Sequence, residues 1–361
     1  MISKESVLQA LSTVIEPELH RDLVTLNMVR DLEINGTAAS FTIVLTTPAC
    51  PMKNVMERDA HNALKAIGID QIKINWTSNV PVDNRILGQL QLPVKNVIAV
   101  ASGKGGVGKS TVAVNISVAL AQMGAAVGLM DADIYGPNCN IMLGAMRMPP
   151  PTKVDGGPKM VPAQAHGVKL MSMGFLVKPD QPLVWRGPML HSAIRQFLTD
   201  VLWGDLDYLV VDLPPGTGDA QLTLTQSVPL TGGVIVTMPQ EVSQADALRG
   251  LKMFEQMQVP VLGVIENMSY LAMPDGTTMD LFGRGGGRKL AEGAGVPFIG
   301  EVPIDPRVRI GGDTGVPITV SDPSSPAAQA FVAIAKDIAA KISVQTLNRQ
   351  QSGLLQVELV E

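Results

Sequence analysis

Cysteine is almost absent from this 361-residue chain: there are two, Cys50 and Cys139. Two thiols cannot staple a disulfide scaffold, and their rarity fits a reducing compartment. Aromatic residues are scarce at 4% and charged residues at 17%, while 46% of the chain is apolar. That balance excludes a disordered chain and leaves ample material for a buried core. Neither sign of charge dominates, with 28 basic against 33 acidic residues and a net charge of −5. Without a long basic run, the chain lacks the electrostatic footprint of a nucleic-acid coat. No apolar run reaches the roughly 18 residues that cross a bilayer. The opening Met1–Ser6 holds an early acid and no apolar stretch, so no signal peptide is expected. The expectation is a cytoplasmic chain that spans no membrane. The four histidines, His20, His61, His166 and His191, show no metal-ligand spacing.

The length exceeds the usual range of about 100–200 residues per domain, which predicts two domains. Residues 1–77 read as a small α/β domain in the order helix, strand, strand, helix, strand. Val7, Leu8, Leu11, Val14 and Ile15 fall at helical spacing, bounded by Pro17. Asn35-Gly36 marks a hairpin, and residues 40–46 alternate as a strand should. A helix from Pro51 to Ile67 and a strand at Ile72–Trp76 follow. Residues 78–94, with Pro81 and Pro93, read as a linker. From residue 95 to 343, apolar strand-length runs alternate with helical stretches. The runs are Val97–Ser102, Ala126–Met130, Tyr208–Asp212, Val234–Met238, Val261–Glu266 and Phe298–Val302. This pattern predicts a doubly wound, mainly parallel sheet covered on both faces. Residues 144–190, rich in Pro, Gly and Met, read as an irregular insertion, and residues 344–361 as a polar, loose tail.

One motif stands out. Gly103-Lys104-Gly105-Gly106-Val107-Gly108-Lys109-Ser110-Thr111 fits G-x-x-x-x-G-K-[ST], after an apolar strand and before a helix. Glycines let backbone N–H groups curl around phosphate oxygens. Lys109 places a point charge on the β/γ-phosphates, Ser110 offers a hydroxyl to Mg²⁺, and the helix adds its positive dipole end. Two carboxylate motifs follow strands further on. Asp133 lies in Asp131-Ala132-Asp133-Ile134-Tyr135-Gly136-Pro137, and Asp131 is an alternative Mg²⁺ partner through water. Asp212 ends four apolar residues before Leu213-Pro214-Pro215-Gly216-Thr217-Gly218-Asp219, so it should face Mg²⁺. Gly283-Arg284-Gly285-Gly286-Gly287 is also glycine-rich, but it follows no clear strand and reads as a turn into a helix at Arg288–Glu292.

The extra Lys104 gives K-G-G-x-G-K-[ST], which resembles the deviant Walker A ATPases. With 133–137, Arg186-Gly187-Pro188-Met189, 212–219 and Glu266-Asn267-Met268-Ser269-Tyr270, the chain resembles the Mrp/ApbC branch over roughly residues 95–340. That resemblance implies an iron–sulfur cluster carrier that hydrolyses ATP. It further implies a homodimer in which Lys104 reaches the partner's nucleotide. Asp133 is then the residue that orients water, Asn267 the one that reads adenine, and 303–306 lie beside the base. Apo iron–sulfur proteins and cluster assembly factors are the implied partners. Residues 5–77, with Glu16-Pro17-Glu18-Leu19 and the Thr46–Pro51 run, resemble the small domain of iron–sulfur maturation factors.

The branch's C-x-x-C pair is missing: Met273 and Gly276 stand in its places. A cluster wants about four thiolates. Cys139 reads as a small buried filler. Cys50, ahead of a helix with Pro51 at its start, reads either as a thiol activated by the helix end and available to a cluster, or as an unreactive cap residue. Two rival functions remain. One is a MinD- or ParA-like regulatory switch, against which the tail after Ile342 counts, with one Arg and two Glu. The other is an ATP-binding scaffold that holds no cluster.

Overall fold

The computed structural model describes residues 2–86, 92–154, 157–176, 187–273 and 275–358, without the side chains of residues 187, 188, 190, 219, 220, 223 and 351–358. Contacts divide the chain into two compact units, Met1–Pro81 with Ala339–Glu361, and Val82–Ile338.

The first unit begins with α1 (Lys4–Leu11), the short antiparallel pair β1 (Ile15–Glu16) and β2 (Arg21–Asp22), then β3 (Val29–Asn35) and β4 (Ala38–Leu45). After them come α2 (Lys53–Ala66) and β5 (Gln71–Ser78). The sheet order is β3-β4-β5, antiparallel then parallel, and the hairpin turns at Gly36 with φ +62°. β4 alternates cleanly: Ala39, Phe41, Ile43 and Leu45 are buried and share a core with Val7 and Leu11 of α1 and with Met56 and Leu64 of α2. The first helix is shorter than its apolar spacing predicts. Ser12 and Thr13 turn their hydroxyls back onto the carbonyls of Gln9 and Ala10, which closes α1 at Leu11. Val14 remains in the core, while Ile15 pairs in β1.

The second unit is built on a nine-stranded sheet. In chain order it holds β6 (Val94–Ser102), α3 (Lys109–Gln122), β7 (Val127–Asp131) and α4 (Cys139–Met142). The small hairpin β8 (Thr152–Val154) and β9 (Gly157–Lys159) precedes β10 (Ala163–Ala165) and β11 (Val168–Ser172). Then come α5 (Gly187–Thr199), β12 (Leu206–Asp212), α6 (Asp219–Ser227), β13 (Gly232–Thr237) and α7 (Glu241–Gln256). β14 (Val261–Ala272), β15 (Thr278–Met279), α8 (Gly286–Ala294), β16 (Phe298–Ile304), α9 (Pro306–Thr314) and α10 (Ile318–Ser321) follow. α11 (Pro326–Glu358) ends the described chain.

The strand order is β10-β11-β7-β12-β6-β13-β14-β15, with β16 also paired to β14. All six predicted strand runs are present, and β6, β7, β11, β12, β13, β14 and β16 run parallel. Parallel strands covered on both faces must be apolar throughout, and β6, β7 and β13 are buried along almost their whole length. α3 is likewise buried from Val112 to Leu120, a central helix with no solvent face. Trp203, Tyr208, Phe197, Phe254 and Phe331 are the largest fully buried side chains of this unit.

Two further expectations change. The insertion at 144–190 is not wholly irregular: β11 extends the main sheet alongside β7, and β10 caps that edge. β10 has only three residues and β11 carries Lys169, so neither shows the continuous apolar run that marks β7. The tail expected to be loose from residue 344 continues α11 as helix, with Thr346 buried and Ser343 Oγ donating to Thr46 O. Among the described residues no helix is long and apolar enough to cross a membrane.

Candidate nucleotide site

Parallel strands deliver their carboxyl ends to one edge of the sheet. β6 ends at Ser102 and runs into the glycine loop, whose last glycine caps α3. Gly108 takes φ +81°, and a Cβ there would lie 2.1 Å from Asn267 Nδ2. Gly103 is needed for another reason, since its Cβ would meet the Asp246 backbone at 2.0 Å. Gly105 faces open space, as a residue that must admit a ligand should.

β7 and β12 end in register, with Asp131 opposite Asp212. Both carboxylates are fully buried. Lys109 Nζ sits 2.7 Å from Asp212 Oδ1 and 3.7 Å from Asp133 Oδ2. Burial drags the Lys109 pKa down, but Asp212 and Asp133 outweigh it and hold the ammonium above its usual range. Ser110 Oγ donates to Asp212 Oδ2 at 2.5 Å. These hard oxygens, one hydroxyl and one carboxylate at the head of a phosphate loop, are the donor set Mg²⁺ prefers. Asp133 Oδ1 accepts the N–H groups of Tyr135 and Gly136 at 3.0 and 3.2 Å, which fixes its carboxylate at the edge of the cavity.

Asp131 plays a different part. It accepts Ser172 Oγ at 2.7 Å, Cys139 N at 3.1 Å and Asp133 N at 3.3 Å. Burial, then the nearby Asp212, pushes its pKa up to about 7. Cys139 Sγ lies 3.6 Å from Asp212 Oδ2. Burial and the two aspartates hold that thiol well above its usual range. Cys139 is therefore a buried residue as expected, but one wedged against the carboxylate of the site. No motif signals that contact, nor the support from Ser172, because each joins residues far apart in sequence. Asp131, Cys139 and Asp212 are the one group of potential metal ligands among the described residues.

Two neighbouring cavities are lined by most of the predicted residues, while Gly103, Val107 and Asp212 line neither. One of about 410 Å³ is lined by Lys104, Gly105, Gly106, Gly108, Lys109, Ser110, Thr111 and Asp133. The other, about 700 Å³, is lined by Asn267, Met268, residues 302–306 and the first cavity's Thr111, Asn138 and Met142. The smaller cavity adjoins the larger one at Thr111, Asn138 and Met142, which line both. Val107 holds the loop to the cleft, because its carbonyl accepts Asn267 Nδ2 at 2.9 Å. Lys104 lines the cradle, and among the described residues its ammonium makes no ion pair.

A family model described as the NUBPL iron-transfer P-loop NTPase matches residues 93–339. The chain belongs to this family. A second model, an iron-sulfur cluster assembly protein, matches residues 4–75. As a member of the NUBPL iron-transfer P-loop NTPases, the chain is an ATPase with a doubly wound nucleotide-binding unit and a small N-terminal domain. It is 54% identical to the "Iron-sulfur cluster carrier protein" of Synechocystis sp. over 96% of this chain and 100% of that one. It is 53% identical to the protein of the same name from Deinococcus radiodurans, over 95% and 97%. A solved nucleotide-binding protein from Archaeoglobus fulgidus, in complex with ADP, is 39% identical with a TM-score of 0.55, covering 65% of this chain and 91% of that one.

The other predicted thiol lies in the first unit. Cys50 is half-buried, two residues ahead of the N-cap of α2. The backbone N–H groups of Met52 and Lys53 favour its thiolate, as a helix end should. Burial outweighs them and, with Glu18 and Glu16, pushes the thiol up to about 11. Of the two readings of Cys50, burial and like charge favour the unreactive free thiol over the activated one. Arg186, part of one family motif, lies outside the described residues.

Proposed function

We propose that the chain is a nucleotide-switched iron–sulfur cluster carrier that works as a homodimer in the cytoplasm and passes clusters to apo proteins. The observation that carries the switch is Lys109, buried and held by Asp212 and Asp133 in the phosphate cradle. An ammonium so neutralised must change partners when phosphates enter. Asp212 is thereby released beside Ser110, and these two residues would hold Mg²⁺, which supplies charge neutralisation at the phosphates. The reaction is ATP with water giving ADP and phosphate. Lys109 draws charge off the transferring phosphoryl group, Asp133 orients the water, and Lys104 reaches the nucleotide of a second copy. Asn267 and residues 303–306 hold the base. Nucleotide state then sets the shape of the pair and its grip on partners.

Cargo is the less direct part of the reading, and the family match and the relatives' names support it. Cys139 is fully buried against Asp212, so Cys50 is the thiol left to bind a cluster. Metal coordination would remove its proton whatever the free thiol's pKa. Two copies supply two such thiols, and the remaining ligands fall to the receiving protein or to small thiols. Anaerobic reconstitution tests this, by iron and acid-labile sulfide per dimer in wild type, Cys50→Ala and Cys139→Ala. A stoichiometric cluster lost only with Cys50→Ala is expected. No cluster in the wild type would remove the carrier role and leave an ATP-driven scaffold.

A further inference from the structure

The glycine run Gly283–Gly287 is left without a role by the nucleotide site, although it opens a helix as a phosphate cradle does. Gly285 caps α8 with φ +81° and offers no side chain to do so. The first-turn N–H groups are taken instead by a carboxylate from elsewhere in the chain. Glu266 Oε1 accepts Gly285 N at 2.9 Å, and Oε2 accepts Gly287 N at 2.5 Å. The fit requires glycine: a Cβ on Gly287 would lie 2.9 Å from Glu266 Cβ, and one on Gly286 would lie 2.2 Å from Pro239 O. The run is an anion cradle that the protein fills with its own fully buried Glu266.

Glu266 and Asn267 are adjacent on β14, and their side chains reach in different directions. Asn267 Nδ2 grips Val107 O in the phosphate loop, while Glu266 grips the head of α8. The next residue, Met268, takes φ +55°, a costly conformation for a side chain of its size. The strand's register with β16 shifts there, and Ser269 Oγ turns back to Glu266 Oε1 at 2.5 Å and Glu301 Oε2 at 3.2 Å. Glu301 in turn holds Arg284, which stacks on Tyr270 at 4.2 Å. Leu271 and Ala272, immediately after, form the hairpin with β15. One short stretch of backbone thus joins the phosphate loop, the glycine cradle and the β14–β15 hairpin.

We propose that Glu266 is a positioning residue: its carboxylate, seated in the glycine cradle, fixes the strand end that presents Asn267 to nucleotide and couples nucleotide binding to the β14–β15 hairpin. The idea rests on the ATP binding proposed above. The test uses the full chain, wild type and Glu266→Gln, with Km and kcat for ATP measured separately. Amide exchange is followed at the phosphate loop, at Gly285 and Gly287, and at the hairpin, with and without ATP. Gln keeps the size but turns an NH₂ toward backbone donors. Expected are a Km raised roughly tenfold with kcat within about twofold, and loss of the ATP-dependent protection that wild type shows at Gly285, Gly287 and the hairpin. A purely structural cap would lower thermal stability and leave Km and that protection as in wild type, which overturns the proposal. Should Glu266→Gln not fold, Ser269→Ala keeps the cradle and removes the hydroxyl link. It should shift Km and protection the same way by roughly threefold, and unchanged values overturn the proposal. Wild type protected by ATP at residues 103–111 but not at 285–287 also overturns it. Wild type unprotected at both fails the ATP-binding reading instead.

Discussion

The phosphate loop and the Cys50 loop both bring a reactive group to a helix N-terminus, and they meet opposite fates. At the loop, Lys109 is buried but faces two aspartates, and its charged form is favoured. At Cys50, the helix end offers two N–H groups, yet burial and two glutamates keep the thiol protonated to about pH 11. A helix end contributes only about 0.3–1 kcal/mol at an exposed site. At Cys50 desolvation is the largest influence and outweighs the N–H groups, so the surroundings decide which ionisation state a helix end hosts.

The largest effect expected from breaking this contrast is at Lys109. Lys109→Ala removes the charge that two carboxylates are built to hold, and phosphate release should fall by about 10³-fold. Equal rates in variant and wild type would mean that the cradle binds without hydrolysing. Gly108→Ala attacks the same loop through its backbone. With φ +81° and Asn267 Nδ2 only 2.1 Å from the new Cβ, the loop must rearrange, and ATP binding should drop at least tenfold by titration calorimetry.

At Cys50 the comparison can be reversed instead of broken. Glu18→Gln removes a like charge near the thiol, and Glu16 is the poorer choice because its carboxylate caps the backbone of Glu18 and Leu19. Iodoacetamide labelling of the variant at pH 8 should run roughly threefold to tenfold faster than in wild type. No change would place the whole elevation on burial.

The same contrast explains what the sequence made legible. The phosphate loop is contiguous, and its physics is local: glycines for the turn, lysine for charge, hydroxyl for metal. Asp133 and Asp212 follow strands, so their edge of the sheet could be inferred from pattern. The contact of Cys139 with Asp212 joins residues 73 positions apart, and Ser172 supports Asp131 across 41. Neither leaves a trace in spacing. For the same reason the sequence leaves two readings of Cys50 open: Pro51 and the coming helix are local, whereas burial and the approach of Glu16 and Glu18 arrive through the fold. β11 was missed because Lys169 interrupts its apolar run, so it lacks the continuous pattern of β7, a strand of the same length.

The smallest expected effect joins the two cases, because Asp131, like Cys50, is pushed up by burial and a like charge, but with a lysine close by. Its folded pKa of about 7 lies above the ordinary 3.8. The native state therefore keeps a proton that the unfolded chain releases between those values. By linkage, this group's contribution to stability is fully present below about pH 4 and is lost as pH rises toward 7. Asp131→Asn cannot titrate, so the nucleotide-free variant should lose less melting temperature between pH 4 and 7 than wild type does. The slopes should differ measurably, since each pKa unit between folded and unfolded states is worth about 1.4 kcal/mol. Its amide also turns an NH₂ toward either the Ser172 and Cys139 donors or the Asp133 donor, so the variant starts from a lower melting temperature and the slope, not the level, carries the comparison. Parallel curves would mean that Lys109 already holds Asp131 ionised through that range. Charge pairing would then govern the whole cradle, and the likeness between Asp131 and Cys50 would end at their burial.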